Sequence, residues 1–145
     1  MITKDTIIIK RNLPEVYKIA QDIENSHTYI PGYKPSKLIK TEDGGMIVER
    51  VAEIKGKIMK WKSKVKFNIN KTIEFEQIEG RLKGMKIEWL FEEVPEGTKL
   101  TITHRLSLNP PVLGWILSKF IAKPAIDKLT RNVLLGLKNK LEGVI

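Results

Sequence analysis

The chain has 145 residues, 41% of them hydrophobic and 30% charged, with three Trp and no Cys, which suits one domain burying roughly 68–70% of its unfolded surface. The lack of cysteine excludes disulfide frameworks, Cys-ligated metal centres, iron–sulfur clusters and thiol nucleophiles, and it is compatible with a reducing compartment. Lys and Arg number 26 against 17 Asp and Glu, a net charge of +9; such a field attracts nucleic acid, anionic lipid or acidic proteins. Because 21 of the cations are Lys and only five Arg, the excess points to non-specific attraction rather than bidentate reading of phosphate or guanine.

The opening Met1-Ile2-Thr3-Lys4-Asp5 lacks a signal-peptide layout. The longest apolar stretch, Val112 to Ala122, is interrupted by Gly114, Ser118 and Lys119 and falls far short of the about 20 residues that span a bilayer. The expectation is a cytoplasmic protein, free or peripheral to a membrane, as a monomer or a dimer.

Thr6 to Lys10 is β-branched and predicts a strand. A helix follows, N-capped by Asn12, with Pro14 in its first turn, Glu15 completing a capping-box-like pair, and Val16, Ile19, Ala20 and Ile23 on one apolar stripe. Ser26 is placed to cap a second short helix through Ile30, stopped by Pro31-Gly32. From Lys37 to Leu108 the period becomes two, with turn signals at Asp43-Gly44-Gly45, Gly56, Asn68 to Lys71, Gly80 to Gly84 and Pro95-Glu96-Gly97, which predicts an antiparallel meander of six strands. In Met59 to Phe67 every odd position is apolar or small and every even one is Lys, so one face is buried and the other wet. Asn109-Pro110-Pro111 ends the sheet. The remainder is helical in pattern, roughly 45 Å long at 1.5 Å per residue. Pro124 is expected to kink or break it, leaving Ile126, Leu129, Val133, Leu137 and Leu141 as a stripe on the second part.

A strand, two short helices, a meander and one long C-terminal helix make an α+β order in which a curved sheet buries one face against a single helix. The pattern resembles the START-like helix-grip superfamily (SRPBCC), and within it the coenzyme Q-binding and polyketide cyclase/dehydrase group. The resemblance is carried by Pro14 to Ile23, Tyr29-Ile30-Pro31-Gly32, Leu82 to Phe91, and Leu108-Asn109-Pro110-Pro111. It implies a sheet of about seven strands wrapped around the long helix, over residues 1–145 as a single domain. It also implies an apolar cavity between the two, used across the superfamily for lipids, quinones, polyketides and plant hormones. No cofactor and no metal are implied.

On the inward parity the lining draws on Met59, Trp61, Val65, Phe67, Phe75, Trp89, Phe91, Ile102 and Leu106, joined by Ile116, Phe120 and Ile121 from the helix. All of these also suit an ordinary core. The polar residues of the same parity are more informative: Arg50, Ser63, Gln77 and His104. Buried polar groups need partners, and a ligand carbonyl or hydroxyl is one. His104 is either a pocket residue, a satisfied core histidine or an edge residue. Arg50 is either turned to solvent by a bulge or aimed inward, and in the second case it favours a ligand with an oxygen-rich or acidic head.

Three functions remain. The first is a carrier or chaperone that binds a hydrophobic small molecule, a lipid, quinone or polyketide-like compound, and passes it at an anionic membrane surface, with Trp115 and Phe120 among lysines as an interfacial segment. The second is a polyketide cyclase or dehydratase using His104 as acid/base and Arg50 to polarise a carbonyl. The third is a module for RNA or ribosome contact through non-specific electrostatics, since the resembled group includes a ribosome-association factor. The lysine stripe Lys60, Lys62, Lys64 and Lys66 does not favour the third, because the aromatic residues fall on the opposite face, whereas single-strand binders interleave the two.

Overall fold

The isoleucine-rich strand β1 (Ile2–Ile9) turns directly into helix α1 (Leu13–Gln21), and Asn12 fixes the join by accepting the Glu15 amide on Oδ1 at 3.1 Å. Pro14 takes the first turn, where its missing N–H costs nothing. In this computed structural model, which describes residues 1–107 and 123–143, β1 begins at Ile2 rather than at Thr6. The reason is non-local: its partner strand continues far enough to pair Ile2 with Arg105. A short 3-10 helix (Ile23–Thr28) follows. Ser26 does not cap it but lies inside it, donating from Oγ to the Ile23 carbonyl at 2.6 Å.

Six strands then form the meander: β2 (Lys37–Lys40), β3 (Met46–Ile54), β4 (Lys57–Asn68), β5 (Thr72–Glu79), β6 (Lys86–Val94) and β7 (Gly97–Arg105). With β1 they make one antiparallel sheet in the order β1-β7-β6-β5-β4-β3-β2. The period-two pattern sets the register. Phe75 lies opposite Val65 and Ile87, and Trp89 opposite Ile73 and Ile102. Between Lys62 and Ser63 the pairing shifts, so that Glu79 faces Lys62 and Gln77 faces Ser63, with Ile78 left over. Such a bulge bends a strand and increases its twist.

Helix α2 (Lys123–Glu142) carries Pro124 in its first turn, where proline is tolerated. The stretch expected to precede the Pro124 kink lies outside the described residues. The buried side of α2 is Ile126, Thr130, Val133, Leu134, Gly136 and Leu137, while Leu129 and Leu141 of the expected stripe are only half-buried. The rotation follows from what α2 packs on. Its contacts run along β1, where Arg131 makes two hydrogen bonds to the Asp5 carboxylate at 3.0 and 3.2 Å and Lys138 Nζ donates to the Ile8 carbonyl at 2.7 Å. Glu142 in turn accepts the Lys10 amide at 2.9 Å. Lys138 and Glu142 thereby satisfy backbone groups at an edge that would otherwise be open to pairing with another chain. The interior includes Tyr17, Ile73, Phe91, Leu100, Ile102 and Leu134, with a smaller cluster of Met85, Leu106 and Ile126. Among the described residues no helix is long and apolar enough to cross a membrane.

Gly136 shows how closely α2 approaches the rest of the chain. A Cβ there would stand 2.4 Å from the Tyr29 carbonyl oxygen and 3.1 Å from Ile30 Cα, both backbone atoms. Helix propensity alone favours Ala over Gly by about 1 kcal/mol, yet Gly136→Ala is expected to destabilise the protein by about 1–3 kcal/mol through overpacking. Denaturant unfolding of the variant checks this, and a gain in stability would refute the close approach.

Candidate functional site

Arg50 lies midway along β3 between Val48 and Ala52, on the parity that points into the concave face, and is only 4% exposed. No bulge turns it to solvent. Its Nη1 donates to Ser26 Oγ at 2.9 Å and to Ser36 Oγ at 3.4 Å. The guanidinium also stacks, with Cζ 5.1 Å from the Tyr33 ring centre and 5.7 Å from that of Phe75, contacts that favour a cation over a π face. Neither contact supplies a negative charge, and among the described residues no carboxylate pairs with Arg50. Burial accordingly pulls its pKa below the usual guanidinium value, and burial also raises the Tyr29 and Tyr33 hydroxyls above theirs, with Arg50 opposing.

The polar region continues across the sheet. Ser63 on β4 is 1% exposed and its Oγ has no hydrogen-bond partner among the described residues, while its cross-strand neighbour Gln77 is buried as well. A buried hydroxyl without a partner among the described residues, one strand away from an uncompensated guanidinium, costs free energy that a ligand oxygen would recover. The surrounding surface is apolar and aromatic. Phe75 and Trp89 pack at 5.4 Å between ring centres, Tyr17 meets Phe91 edge-on at 5.0 Å, and Tyr33 meets Trp61 edge-on at 6.1 Å.

The expected lining residues divide into three groups. Val65, Phe75, Trp89, Phe91 and Ile102 are buried in the main interior, and Leu106 in the smaller cluster. Met59, Trp61 and Phe67 share their parity but are half-buried. Ile116, Phe120 and Ile121 lie outside the described residues, as does Trp115. The partners of Arg50, namely Ser26, Ser36 and Tyr33, were not among the expected site residues. They come from the 3-10 helix and the loop after it, 24 and 14 residues away for the two serines, and strand periodicity carries no information about such contacts.

His104 on β7 is 8% exposed, and its Nδ1 has no partner among the described residues. Desolvation lowers its pKa to about 4, against a weak opposing pull from Asp127. It is therefore neutral at pH 7. Three strands separate it from Arg50 in the sheet order, and no hydrogen bond links the two. His27 is at the surface, with Nδ1 3.1 Å from the Glu24 carbonyl. Among the described residues no group of three His, Asp or Glu is placed to hold a metal ion.

On the outer face the lysine stripe, apart from Lys60 opposite Val51, is matched by glutamates. Lys62 bridges Glu49 at 3.4 Å and Glu79 at 3.6 Å, and Lys64 and Lys66 stand opposite Glu76 and Glu74. The stripe is a cross-strand ladder of opposite charges, the arrangement that stabilises a wet sheet face.

A seven-stranded antiparallel sheet with a long C-terminal helix is the helix-grip architecture of the START-like superfamily. The chain belongs to the family described as polyketide cyclase/dehydrase and lipid transport, which matches residues 9–133. No curated protein matches its sequence significantly. Among solved structures it is similar to TTHA0849 from Thermus thermophilus, with 21% identity over 99% of this chain and 98% of that one, at a TM-score of 0.82. It is similar also to a START superfamily protein from Mycobacterium smegmatis, with 18% identity over 99% of both chains, at a TM-score of 0.74. A third is the Zhui aromatase/cyclase from Streptomyces sp. R1128, with 17% identity over 97% of this chain and 94% of that one, at a TM-score of 0.71. At these identities the likeness establishes the fold.

The state of His104 has a measurable consequence. Its folded pKa of about 4 lies below the ordinary 6.5, so the unfolded chain binds the proton more readily. Stability is therefore unaffected above pH 6.5 and falls as pH drops towards 4, by about 3 kcal/mol at most. Replacing His104 with Leu is expected to flatten this part of the stability profile, measured by urea unfolding between pH 4 and pH 7. An unchanged slope in the variant would show that other groups cause it.

Proposed function

We propose that this protein binds an amphipathic small molecule, its hydrocarbon part against the aromatic concave face and an anionic or oxygen-rich head on Arg50, and acts as a carrier or chaperone for it. The observation that carries the reading is the guanidinium of Arg50, buried, held by two neutral serines and paired with no carboxylate among the described residues, with the buried Ser63 on the adjacent strand. A buried cation without a counter-charge is expensive, and a ligand carboxylate, enolate or quinone oxygen relieves that cost. Phe75 links the two halves of the site, since one ring faces both the guanidinium and Trp89. The family, whose description includes both lipid transport and polyketide cyclisation, agrees with a hydrophobic ligand.

A polyketide cyclase or dehydratase is the second reading, favoured by the neutral His104, whose Nδ1 is without a partner among the described residues, as a proton acceptor. One-step acid/base work needs His104 and Arg50 on the same reacting group, and the three intervening strands argue against that. Binding is therefore the better account.

The test compares decanoic acid with decanol by isothermal titration. The parent is expected to prefer the acid. Arg50→Met is expected to weaken acid binding at least about thirtyfold, the equivalent of about 2 kcal/mol, with decanol unaffected. The same substitution should leave the empty protein as stable as the parent or about 1 kcal/mol more so, because the buried charge is gone. A parent that binds neither compound, or a variant that binds the acid equally well, would defeat the proposal.

A further inference from the structure

The surplus positive charge is not spread evenly. Antiparallel connection puts the β3–β4 turn and the β5–β6 turn at one end of the sheet and the β4–β5 and β6–β7 turns at the other. The first end carries exposed Lys55, Lys57, Lys60, Arg81 and Lys83, and among the described residues none of these pairs with a carboxylate. The β5–β6 turn lies against β4 at the base of the β3–β4 hairpin, since a Cβ on Gly80 would lie 3.0 Å from Trp61 Cβ and 3.3 Å from the Lys60 carbonyl. At the second end, Glu42, Asp43, Glu93 and Glu96 offset Lys10, Arg11, Lys40 and Lys71.

The β3–β4 hairpin also projects. The strand pairing of β5 with β4 ends at Glu79 opposite Lys62, so Lys57 to Trp61 pair with β3 alone. On the outer face of this ribbon Ile58 is 54% exposed beside Lys60, while Lys57, next to the turn, is exposed on the opposite parity. The tip itself breaks the usual turn chemistry. Lys55 and Gly56 both have positive φ, 51° and 77°, the type I′ form in which Asn or Gly is preferred first. At the other end the corresponding left-handed position is Asn70, as that preference expects. A lysine held in this conformation is a local strain that turn formation does not explain.

We propose that the β3–β4 hairpin docks the protein on an anionic lipid surface, with Ile58 entering the headgroup boundary and Lys55, Lys57 and Lys60, joined by Arg81 and Lys83, lying over the anionic headgroups. Lipid fits better than nucleic acid. The exposed apolar residue is a branched aliphatic rather than a stacking aromatic, Trp61 is engaged with Tyr33, and the three cations near the hairpin tip, Lys55, Lys57 and Lys60, are all lysines. The docking surface is separate from the interior and holds whether or not Arg50 binds a ligand.

Flotation of the full chain with phosphatidylcholine vesicles, with and without phosphatidylglycerol, tests it. Binding is expected only with phosphatidylglycerol present and is weakened by added salt. Lys57→Gln is expected to lower the partition coefficient about fivefold, and Ile58→Ser to lower it as well. Lys55→Asn should lower it about fivefold while raising the melting temperature by about 2 °C, because asparagine suits the turn. Ile69→Ser and Lys71→Gln, at the opposite end, should change neither. Equal binding to both vesicle types, no binding to either, or hairpin variants that bind like the parent would overturn the proposal. So would hairpin substitutions that weaken binding to an oligouridine strand while leaving vesicle binding unchanged.

Discussion

A positive charge buried on the concave face without a negative one beside it is the constraint around which this structure is arranged. Arg50 has two serine oxygens and two aromatic faces for company, enough to hold a guanidinium in place but not to neutralise it. To bring those partners together, the 3-10 helix must return Ser26 over β3, and the following loop must lay Tyr33 and Ser36 along the same strand, where Tyr33 bridges to Ala52. The Gly136 approach to Tyr29 then presses α2 onto that segment. The cost of the buried cation and the packing that encloses it thus belong to one arrangement, as expected where a fold holds a site in an unfavourable state for function.

The sheet separates two kinds of electrostatics by strand parity. Its outer face matches lysines to glutamates across strands, so the stripe that dominates the middle of the sequence is largely self-compensated. Its inner face holds few polar groups, and each is consequential because the low-polarity surroundings offer little screening. The net charge is then expressed at the turns of one end, where few carboxylates are present. Global charge alone would have suggested a uniformly basic protein, and the topology makes it a directional one.

Most of the fold was legible in the sequence. Period-two alternation in β4, β5, β6 and β7 correctly assigned Val65, Phe75, Trp89 and Ile102 inward, and Asn12 and Pro14 marked the start of α1. Parity also put Arg50, Ser63, Gln77 and His104 on the inner face, where they are buried. What escaped was non-local. The early start of β1 depends on β7, the turned face of α2 depends on β1, and the shell around Arg50 depends on a loop without periodicity. Ser26 illustrates the difficulty: its type and position suit a helix cap, yet tertiary structure uses its hydroxyl to accept from Arg50. A buried arginine implies partners somewhere, but only the folded chain says which.

The most direct measurement is the NMR signal of the Arg50 side-chain Nε–H, assigned through its loss in Arg50→Lys, during titration with decanoate. The account predicts that this resonance shifts and exchanges more slowly with water as the carboxylate arrives, together with shifts at Ser63 and Phe75. Decanoate that binds and perturbs other parts of the protein while leaving the Arg50 signal unmoved would contradict it.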